Sequence, residues 1–273
     1  MKAAIPLLAL FALSPMLQAA ESGQRVAITY SSASVVNAAS NVAVLAPNTI
    51  ASIYGEGLSW KERSISEDDI RSGNMPTILS QTGVRVIVNN IPACIYYVSP
   101  GQINFLVPAN LLPGPATVRV TLDGAVGPKA EVELLPAAPA FFQLDAETIV
   151  ATHADEAAVT AENPARPGEI VVLYLTGLGR TKPWFRSGEI VTQAAWIEDR
   201  SKLTLLIDGE PVERSRIEYA GVTPGSAGLY QINVKLPDSI RENPEIRVLM
   251  DEQASQEGLR LPVNPNPAPP EPE

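Results

Sequence analysis

The sequence predicts an all-β protein, and three observations lead to this class. Short β-branched runs separated by turn residues fill the chain, which contains 25 Pro and 18 Gly in 273 residues. Helical periodicity is almost absent, which favours an all-β class over a mixed one. The third observation is an internal repeat, which sets the architecture before any single element is assigned.

The repeat consists of blocks that recur in the same order. Residues 102–108 return as 231–237, 46–58 as 166–178, 84–92 as 203–211, and 118–124 as 246–252. Each copy has the length of a small β-sandwich, for which about 100 residues suffice. The chain therefore predicts two tandem immunoglobulin-like β-sandwiches.

Composition marks the ends of the two copies. Residues 1–19 combine Lys2, a short apolar run and small residues near a cleavage point, the pattern of a signal peptide. That run is shorter than the roughly 20 residues that span a bilayer, so we expect export and no membrane span. The two immunoglobulin-like domains are predicted at 20–136 and 137–263, joined by a short, stiff Pro-containing connection. Residues 264–273 are Pro-dense and predict an extended, disordered tail.

Strands are predicted in order along the first copy at 25–30, 48–54, 84–88, 91–98, 102–108, 118–122 and 130–135. The small polar stretch 31–40 indicates a linker, and 58–79 a long loop with a helical turn at 67–71. Asn89-Asn90 predicts a hairpin because Asn tolerates positive φ, and Asp208-Gly209 predicts the same hairpin in the second copy.

Charge and cysteine content narrow the function classes. The net charge is −10, with acidic residues scattered along the chain, which argues against nucleic acid as a partner. Cys94 is the only cysteine, so an intrachain disulfide is excluded and stability must come from packing. Its strand context predicts a buried apolar side chain rather than a reactive thiol.

Catalytic patterns are missing from the sequence. His153 is the only histidine, and no GxSxG, HExxH or CxxC motif accompanies it. Glu67, Asp68 and Asp69 are consecutive, whereas calcium loops space their acids at alternate positions. We therefore expect no enzyme, no metal and no cofactor. A hydrolase with two carboxylates stays open, because such pairs meet only in the fold.

Aromatic residues in loops are the candidates for ligand contact. Trp60 and the pair Trp184-Phe185 follow equivalent strands of the two copies, and Trp196 lies further on. Exposed rings beside cationic residues would stack on sugars or anchor a protein partner. The alternative is that each tryptophan closes the open end of its sandwich, which the usual burial of Trp favours.

The repeated amides Gln102, Asn104, Gln231 and Asn233 are candidates for a structural role. Side chains alternate along a strand, so these amides share one face while the apolar residues share the other. They would either face solvent or hydrogen-bond the preceding Pro-Gly loop. A ligand site at these amides is the less favoured interpretation.

Several motifs together resemble a known family. They are 37–40, 99–104, 163–168, 174–179, 220–225 and 228–233. This pattern is similar to the Solibacter uncharacterised C-terminal domain family and covers about 37–263. The resemblance implies tandem immunoglobulin-like repeats like those of plexins, usually at the end of long secreted acidobacterial proteins, and it offers no catalytic residues. Here the matching region follows the signal peptide, and Gln81 and Asn90 stand where that family tends to have Gly.

These observations predict an exported, non-catalytic binding or surface-assembly module that acts through protein–protein contacts. Recognition would use an edge strand or loops at one end of a sandwich. The alternative is a carbohydrate-binding module, which requires exposed, coplanar tryptophans. The second alternative is the carboxylate-pair hydrolase, which requires two close acids, one with a raised pKa.

Overall fold

The computed structural model describes residues 27–266, and its regular structure is nearly all β. The predicted signal peptide at 1–19 and the tail residues 267–273 lie outside this range. We call 27–136 unit one and 137–263 unit two. Whether the two units are independent domains stays a prediction.

Unit one contains eight strands and one short helix, α1 (Glu67–Ile70). The strands are β1 (Val35–Asn37), β2 (Ile50–Tyr54), β3 (Arg63–Ser64), β4 (Val84–Val88), β5 (Ile91–Val98), β6 (Gln102–Leu106), β7 (Gly114–Leu122) and β8 (Ala125–Leu134).

Unit two contains eleven strands. They are β9 (Ala140–Phe141), β10 (Ala151–His153), β11 (Ile170–Thr176), β12 (Thr181–Lys182), β13 (Ala195–Ile197), β14 (Leu203–Ile207), β15 (Glu210–Pro211), β16 (Ile217–Val222), β17 (Tyr230–Lys235), β18 (Ile246–Met250) and β19 (Gln253–Ala254).

Both units use the same antiparallel strand order, so the sequence repeat is also a repeat of topology. In unit one, one layer has the order β1-β2-β6-β5 and the other has the order β5-β4-β7-β8, so β5 belongs to both. The eight-residue strand β5 pairs with β4 through its first half and with β6 through its second, which joins the two layers of the sandwich. Unit two has β10-β11-β17-β16 and β15-β14-β18-β19. The all-β, immunoglobulin-like prediction is confirmed.

The predicted hairpins form with the expected backbone. Asn89 and Asn90 have φ of 46° and 66°, and Asp208 and Gly209 have φ of 50° and 81°. Positive φ at both central residues matches the right-handed twist of the flanking strands. Asn90 and Gln81 (φ 64°) therefore adopt the conformation that glycine favours, although neither is glycine.

Two assignments near the start of the chain are wrong. Within 27–30, only Thr29 bridges to another strand residue, Glu56, so no strand forms there. The stretch 31–40 is not a linker, because Val35–Asn37 is strand β1, paired with β2 and fully buried. Val35 and Val36 lie at the edge of the core, but the small polar residues on either side of them gave no strand signal in the sequence. The helical turn at 67–71 is confirmed as α1, which Ser66 and Asp69 cap reciprocally.

The two units pack against each other through an apolar layer separate from their own cores. Ile50, Tyr96 and Leu106 lie on the outer face of unit one, and Phe142 and Leu229 of unit two cover them. The layer buries apolar area that would otherwise face water, which stabilises the contact.

Hydrogen bonds between the units fix their relative position. Asn37 Nδ2 donates to the Ala138 carbonyl at 3.0 Å, and the Ile50 amide donates to Thr176 Oγ1 at 3.0 Å. Gln256 Nε2 donates to the Ala39 carbonyl at 3.1 Å. The Asn37 side chain of unit one thus holds the connection at 136–139, which is not stiffened by its prolines alone.

Candidate functional site

Two of the three tryptophans lie on the surface. Trp60 is 49% exposed and Trp184 is 59% exposed, whereas Trp196 is half-buried. Trp60 Nε1 donates to Asp123 Oδ2 at 2.9 Å, which holds the ring against the β7–β8 hairpin. The expectation that each tryptophan closes the end of its sandwich therefore does not hold for Trp60 and Trp184.

Trp184 is presented by a loop that is tied to unit one. Ser187 Oγ accepts from the Ala109 amide at 3.2 Å, and the Gly188 carbonyl accepts from the Met75 amide at 2.8 Å. The Ile190 amide donates to the Gly73 carbonyl at 2.8 Å. Phe185 is partly buried and packs on the core of unit two. The loop is thus fixed at its base, and its exposed ring is Trp184.

A cleft of about 690 Å³ opens between the two units beside this loop. Unit one contributes Pro47, Leu112 and Pro113, and unit two contributes Arg180 and Met250 among others. A smaller depression that contains Trp184 and Phe185 adjoins it. The two share Pro47, Gly179 and Arg180, and we call them together the inter-unit cleft.

Hydrogen bonds of a buried tyrosine hold the floor of the inter-unit cleft. The buried Tyr230 hydroxyl donates to the Gly179 carbonyl and accepts from Asn48 Nδ2 of unit one, the latter at 2.9 Å. Burial raises the pKa of Tyr230, so the phenol stays protonated and keeps its donor. Tyr230 therefore connects the floor of the cleft to both units.

The walls of the inter-unit cleft combine apolar and charged groups. Leu112 is 71% exposed at its rim, and Arg180 is exposed within it. The acids Glu198, Asp199, Asp251 and Glu252 also line it. Lys202 Nζ pairs with Asp251 Oδ2 at 2.7 Å, and Asp199 Oδ1 accepts from Ser201. The exposed Glu198 and Glu252 and the second oxygen of Asp199 are the acceptors that these contacts leave. The cleft thus offers both hydrogen-bond donors and acceptors next to apolar surface.

Trp196 lies in a different environment on unit two. Its ring meets Tyr219 edge-on with the centroids 4.9 Å apart, and the Arg200 guanidinium lies 4.7 Å from its centroid. A pocket of about 320 Å³ opens beside it and shares no lining residue with the inter-unit cleft. The structure therefore separates Trp196 from Trp184 and Phe185.

The repeated amides bond to each other in both units. Gln102 Nε2 donates to Asn104 Oδ1 at 2.8 Å, and Gln231 Nε2 donates to Asn233 Oδ1 at 2.8 Å. The Pro-Gly loop of unit one is held instead by Ser99 Oγ, which accepts from the Gln102 amide at 3.0 Å. The hypothesis that the amides bond this loop thus differs from the structure, because a nearer hydroxyl takes that position.

His153 forms a local structural pair. Its Nδ1 lies 2.5 Å from Glu169 Oε1, and its Nε2 lies 3.2 Å from the Asn163 carbonyl. No hydroxyl or thiol is hydrogen-bonded to this ring within residues 27–266, so the geometry contains no activated nucleophile at His153. Asp69, from the acidic run, accepts from Arg63 at 2.8 and 2.9 Å and thus serves the loop of unit one.

The carboxyl groups whose pKa is shifted do not have the raised pKa that a general acid needs. Hydrogen bonds lower the pKa of Asp145 and Asp199, from the Glu147 amide in one case and from Ser201 in the other. Burial raises the pKa of Asp69, but hydrogen bonds from Arg63 and Ser66 outweigh this and the net shift is downward. A glycosidase acid requires a raised pKa.

Sequence reasoning missed the residues that surround the tryptophans. Leu112 and Arg180 line the inter-unit cleft, and Arg200 and Arg214 line the pocket beside Trp196, yet the members of each pair are well separated in sequence. The position of Leu112 directly before a Pro-Gly turn was the one sequence signal that this leucine is exposed. No sequence spacing predicted that the arginines line binding depressions, because they come together only in the folded chain.

No family model and no curated protein matches this sequence. Among solved structures, it is similar to a surface glycan-binding protein of Prevotella bryantii, with a TM-score of 0.28 and 10% identity over 80% of this chain. It is also similar to a Bacteroides ovatus protein of a mixed-linkage glucan utilization locus, solved with a heptasaccharide, with a TM-score of 0.32 and 11% identity over 82% of this chain. The chain spans 38% and 43% of the length of these two proteins.

The extracellular region of plexin A4 has a TM-score of 0.27 and 12% identity, over 93% of this chain and 17% of plexin A4. Similarities at these levels do not indicate a shared ligand.

Proposed function

We propose that this protein is an exported, non-catalytic binding module that holds a polysaccharide chain in the inter-unit cleft, with Trp184 as its stacking platform. One observation carries the proposal. Trp184 is 59% exposed on a loop anchored to both units, beside an open cleft of about 690 Å³. A large aromatic ring presented to solvent at a fixed position is suited to stacking on the face of a sugar ring.

The chemistry of the inter-unit cleft suits a sugar chain. Aromatic faces stack on the C–H faces of sugar rings, while carboxylates and guanidinium groups bond hydroxyls. Glu198, Asp199 and Glu252 supply acceptors there, and Arg180 supplies donors. The larger part of the inter-unit cleft, about 690 Å³, falls within the roughly 300–1,000 Å³ of ligand sites, and the depression that holds Trp184 adds about 30 Å³. A pre-formed site loses little entropy on binding.

A protein partner is the second candidate, and the exposure of Leu112 favours it. An apolar side chain that is 71% exposed in a turn resembles the anchor of a protein contact. Strand addition is the less favoured mode. The edge strand β8 carries Pro128 and Lys129, and the Glu131 amide already donates to Ser32 Oγ at 3.0 Å.

The experiment is affinity electrophoresis of the mature protein through gels containing single neutral polysaccharides, followed by calorimetry with any that retards it. Trp184→Ala should weaken binding about five- to 150-fold, because one stacked ring contributes roughly 1–3 kcal/mol by analogy with bases on aromatics. Trp60→Ala is the matched control, since Trp60 is also exposed but lies outside the inter-unit cleft.

Binding that is unchanged in Trp184→Ala, or that depends on Trp60 instead, would overturn the proposal. Retention of a protein partner that Leu112→Asp abolishes, with no polysaccharide bound, would establish the second candidate. Membership of the Solibacter uncharacterised C-terminal domain family and the exported location stay predictions. No helix within residues 27–266 has the length and apolar character to cross a membrane.

A further inference from the structure

The pocket beside Trp196 has a different chemical character from the inter-unit cleft. Its walls are Arg200, Ser201 and Arg214 around an apolar base of Leu203 and Ile217. It is cationic, since two arginines and no carboxylate line it. This is unusual in a protein whose net charge is −10, with 30 acidic and 20 basic residues.

Arg200 is held in position by stacking rather than by an ion pair. Its guanidinium lies 4.7 Å from the Trp196 ring centroid, and within residues 27–266 it forms no salt bridge. A stacked guanidinium keeps its N–H groups directed outward in its own plane. Trp196 therefore fixes the orientation of Arg200 and leaves its donors free for a ligand.

Arg214 is fixed from the opposite segment of the pocket. Its Nη2 donates to the Ser201 carbonyl at 2.8 Å, and within residues 27–266 it forms no ion pair, while its charge acts on Asp199 at longer range. The bond to Ser201 uses only Nη2, so the other N–H groups of Arg214 are available as donors. Two cations on one small pocket repel each other, so an anion between them lowers the energy of both.

Two acids lie near the pocket in sequence but do not line it. Asp199 lies beside it, but its carboxylate accepts from the Ser201 amide at 3.0 Å and from Ser201 Oγ at 2.5 Å. Hydrogen bonds from Ser201, with smaller contributions from Lys202 and Arg214, lower the pKa of Asp199. Glu213 lies 3.4 Å from Ser215 Oγ. Neither acid lines the pocket, so its inner surface stays cationic.

We propose that the pocket formed by Trp196, Arg200 and Arg214 binds the carboxylate of a sugar-acid unit in an acidic polysaccharide. A planar carboxylate matches the paired N–H groups of arginine, which makes such contacts stronger than neutral ones. The volume of about 320 Å³ lies at the lower end of ligand sites and suits one sugar ring. The apolar base and the indole edge would contact the C–H face of that ring. This site is distinct from the inter-unit cleft and does not depend on it.

The test uses calorimetry on the mature protein with galacturonate oligosaccharides and with their methyl esters. The ester keeps the ring and linkage but removes the charge. The acid should bind roughly ten- to hundredfold more tightly than the ester, the effect expected of hydrogen bonds to a charged group. Arg200→Gln and Arg214→Gln should each remove most of that difference. Arg85→Gln on unit one is the matched control, because Arg85 is equally exposed and lies outside the pocket.

The outcomes separate this proposal from the proposed function. Acid binding should survive Trp184→Ala, whereas binding of a neutral polysaccharide should not. Equal affinity for acid and ester, or affinity unchanged in both arginine variants, would overturn the sugar-acid site. Binding of a peptide with a free C-terminal carboxylate in place of the sugar acid would also overturn it. Because Arg200 and Arg214 are exposed, we expect both variants to keep the parent melting temperature.

Discussion

The repeated strand has the same sequence motif in both units but a different degree of burial. In β6 of unit one, Asn104 is fully buried, whereas its counterpart Asn233 in β17 of unit two is only half-buried. Both asparagines accept the same bond from a glutamine two residues earlier. Leu106, on the same face of β6 as Asn104, lies in the apolar layer between the units, so unit two covers this part of the outer face of unit one. The face of unit two that carries Asn233 stays partly exposed there.

The units also differ in the strand that joins their layers. In unit one, β5 runs without interruption, whereas unit two has the separate strands β15 and β16 with a turn at 214–216 between them. This turn carries Arg214, and the loop after β11 carries Trp184. Arg214 of the second proposed site thus lies where unit two departs from unit one, whereas Trp184 of the first lies in the loop that corresponds to the one carrying Trp60 in unit one. The repeated strands build the scaffold, and the loops supply the residues of the proposed sites.

The largest expected effect concerns Cys94. The alkylation rate of its thiol reports whether unit two stays packed on the outer face of unit one. Burial raises the pKa of its thiol to about 11, and its Sγ lies against Gly188 of unit two. At about pH 8 alkylation of the native protein should be at least a few hundredfold slower than that of the unfolded chain, whose thiol has a pKa of about 8.5. Timed iodoacetamide labelling followed by mass spectrometry measures this ratio. Rapid native labelling would mean that the units separate readily.

The next effect tests the backbone contact where the units meet. Gly177 has φ of 81°, and an added Cβ would lie 2.0 Å from the Ala138 carbonyl oxygen. We expect Gly177→Ala to lower the free energy of unfolding by about 3 kcal/mol or more, through strain and the forced shift of the connection.

Gly209 provides the matched control for Gly177. It has the same φ of 81° but no atom within 4 Å of the added Cβ. Gly209→Ala should lower the free energy of unfolding by only about 1–2 kcal/mol, because the substitution adds backbone strain at positive φ and no steric contact. Urea denaturation of both variants measures the two costs, and equal costs would show that the contact with Ala138 contributes nothing.

A smaller effect separates the two asparagines. Asn104→Ala removes the acceptor of both Ser52 Oγ and Gln102 Nε2 in a buried position. We expect a loss of about 2–3 kcal/mol in the free energy of unfolding, against about 1 kcal/mol or less for Asn233→Ala, where water can replace the bond. Denaturant titration of both variants provides the measurement. A larger loss for Asn233 would contradict the proposed cause of the difference in burial.

The smallest effect concerns a contact that belongs to unit one alone. The lowered pKa of Asp69 means that its contribution to stability is complete above the unfolded value of about 4 and is lost as pH falls through the folded value. The contribution should be about 1 kcal/mol or less, because the Arg63–Asp69 pair is partly exposed to solvent.

The variant Asp69→Asn should therefore melt below the parent at about pH 6 and approach it at about pH 3. Melting curves at the two pH values test this. A gap that widens on acidification would show that the sign of the pKa shift is opposite.

Sequence reasoning reached the fold through local signals. Asn89-Asn90 and Asp208-Gly209 fixed two hairpins, because turns with positive φ admit few residue types. Strand β1 was missed because its three residues lie between small polar segments, and its burial depends on pairing with β2. The candidate tryptophans were identified by type, but their exposure was not, since a loop residue is buried only if another segment happens to cover it.

The sequence by itself determined the all-β class, the repeat and the turns, because alternation and turn chemistry act over a few neighbouring residues. Only the tertiary structure decided which face of unit one is covered, and it alone created the inter-unit cleft from Leu112 of one unit and Arg180 of the other. The same holds for Arg200 and Arg214, which are separated along the chain and line one pocket. Contacts of this kind depend on how distant segments pack, and no local pattern in the chain encodes that packing.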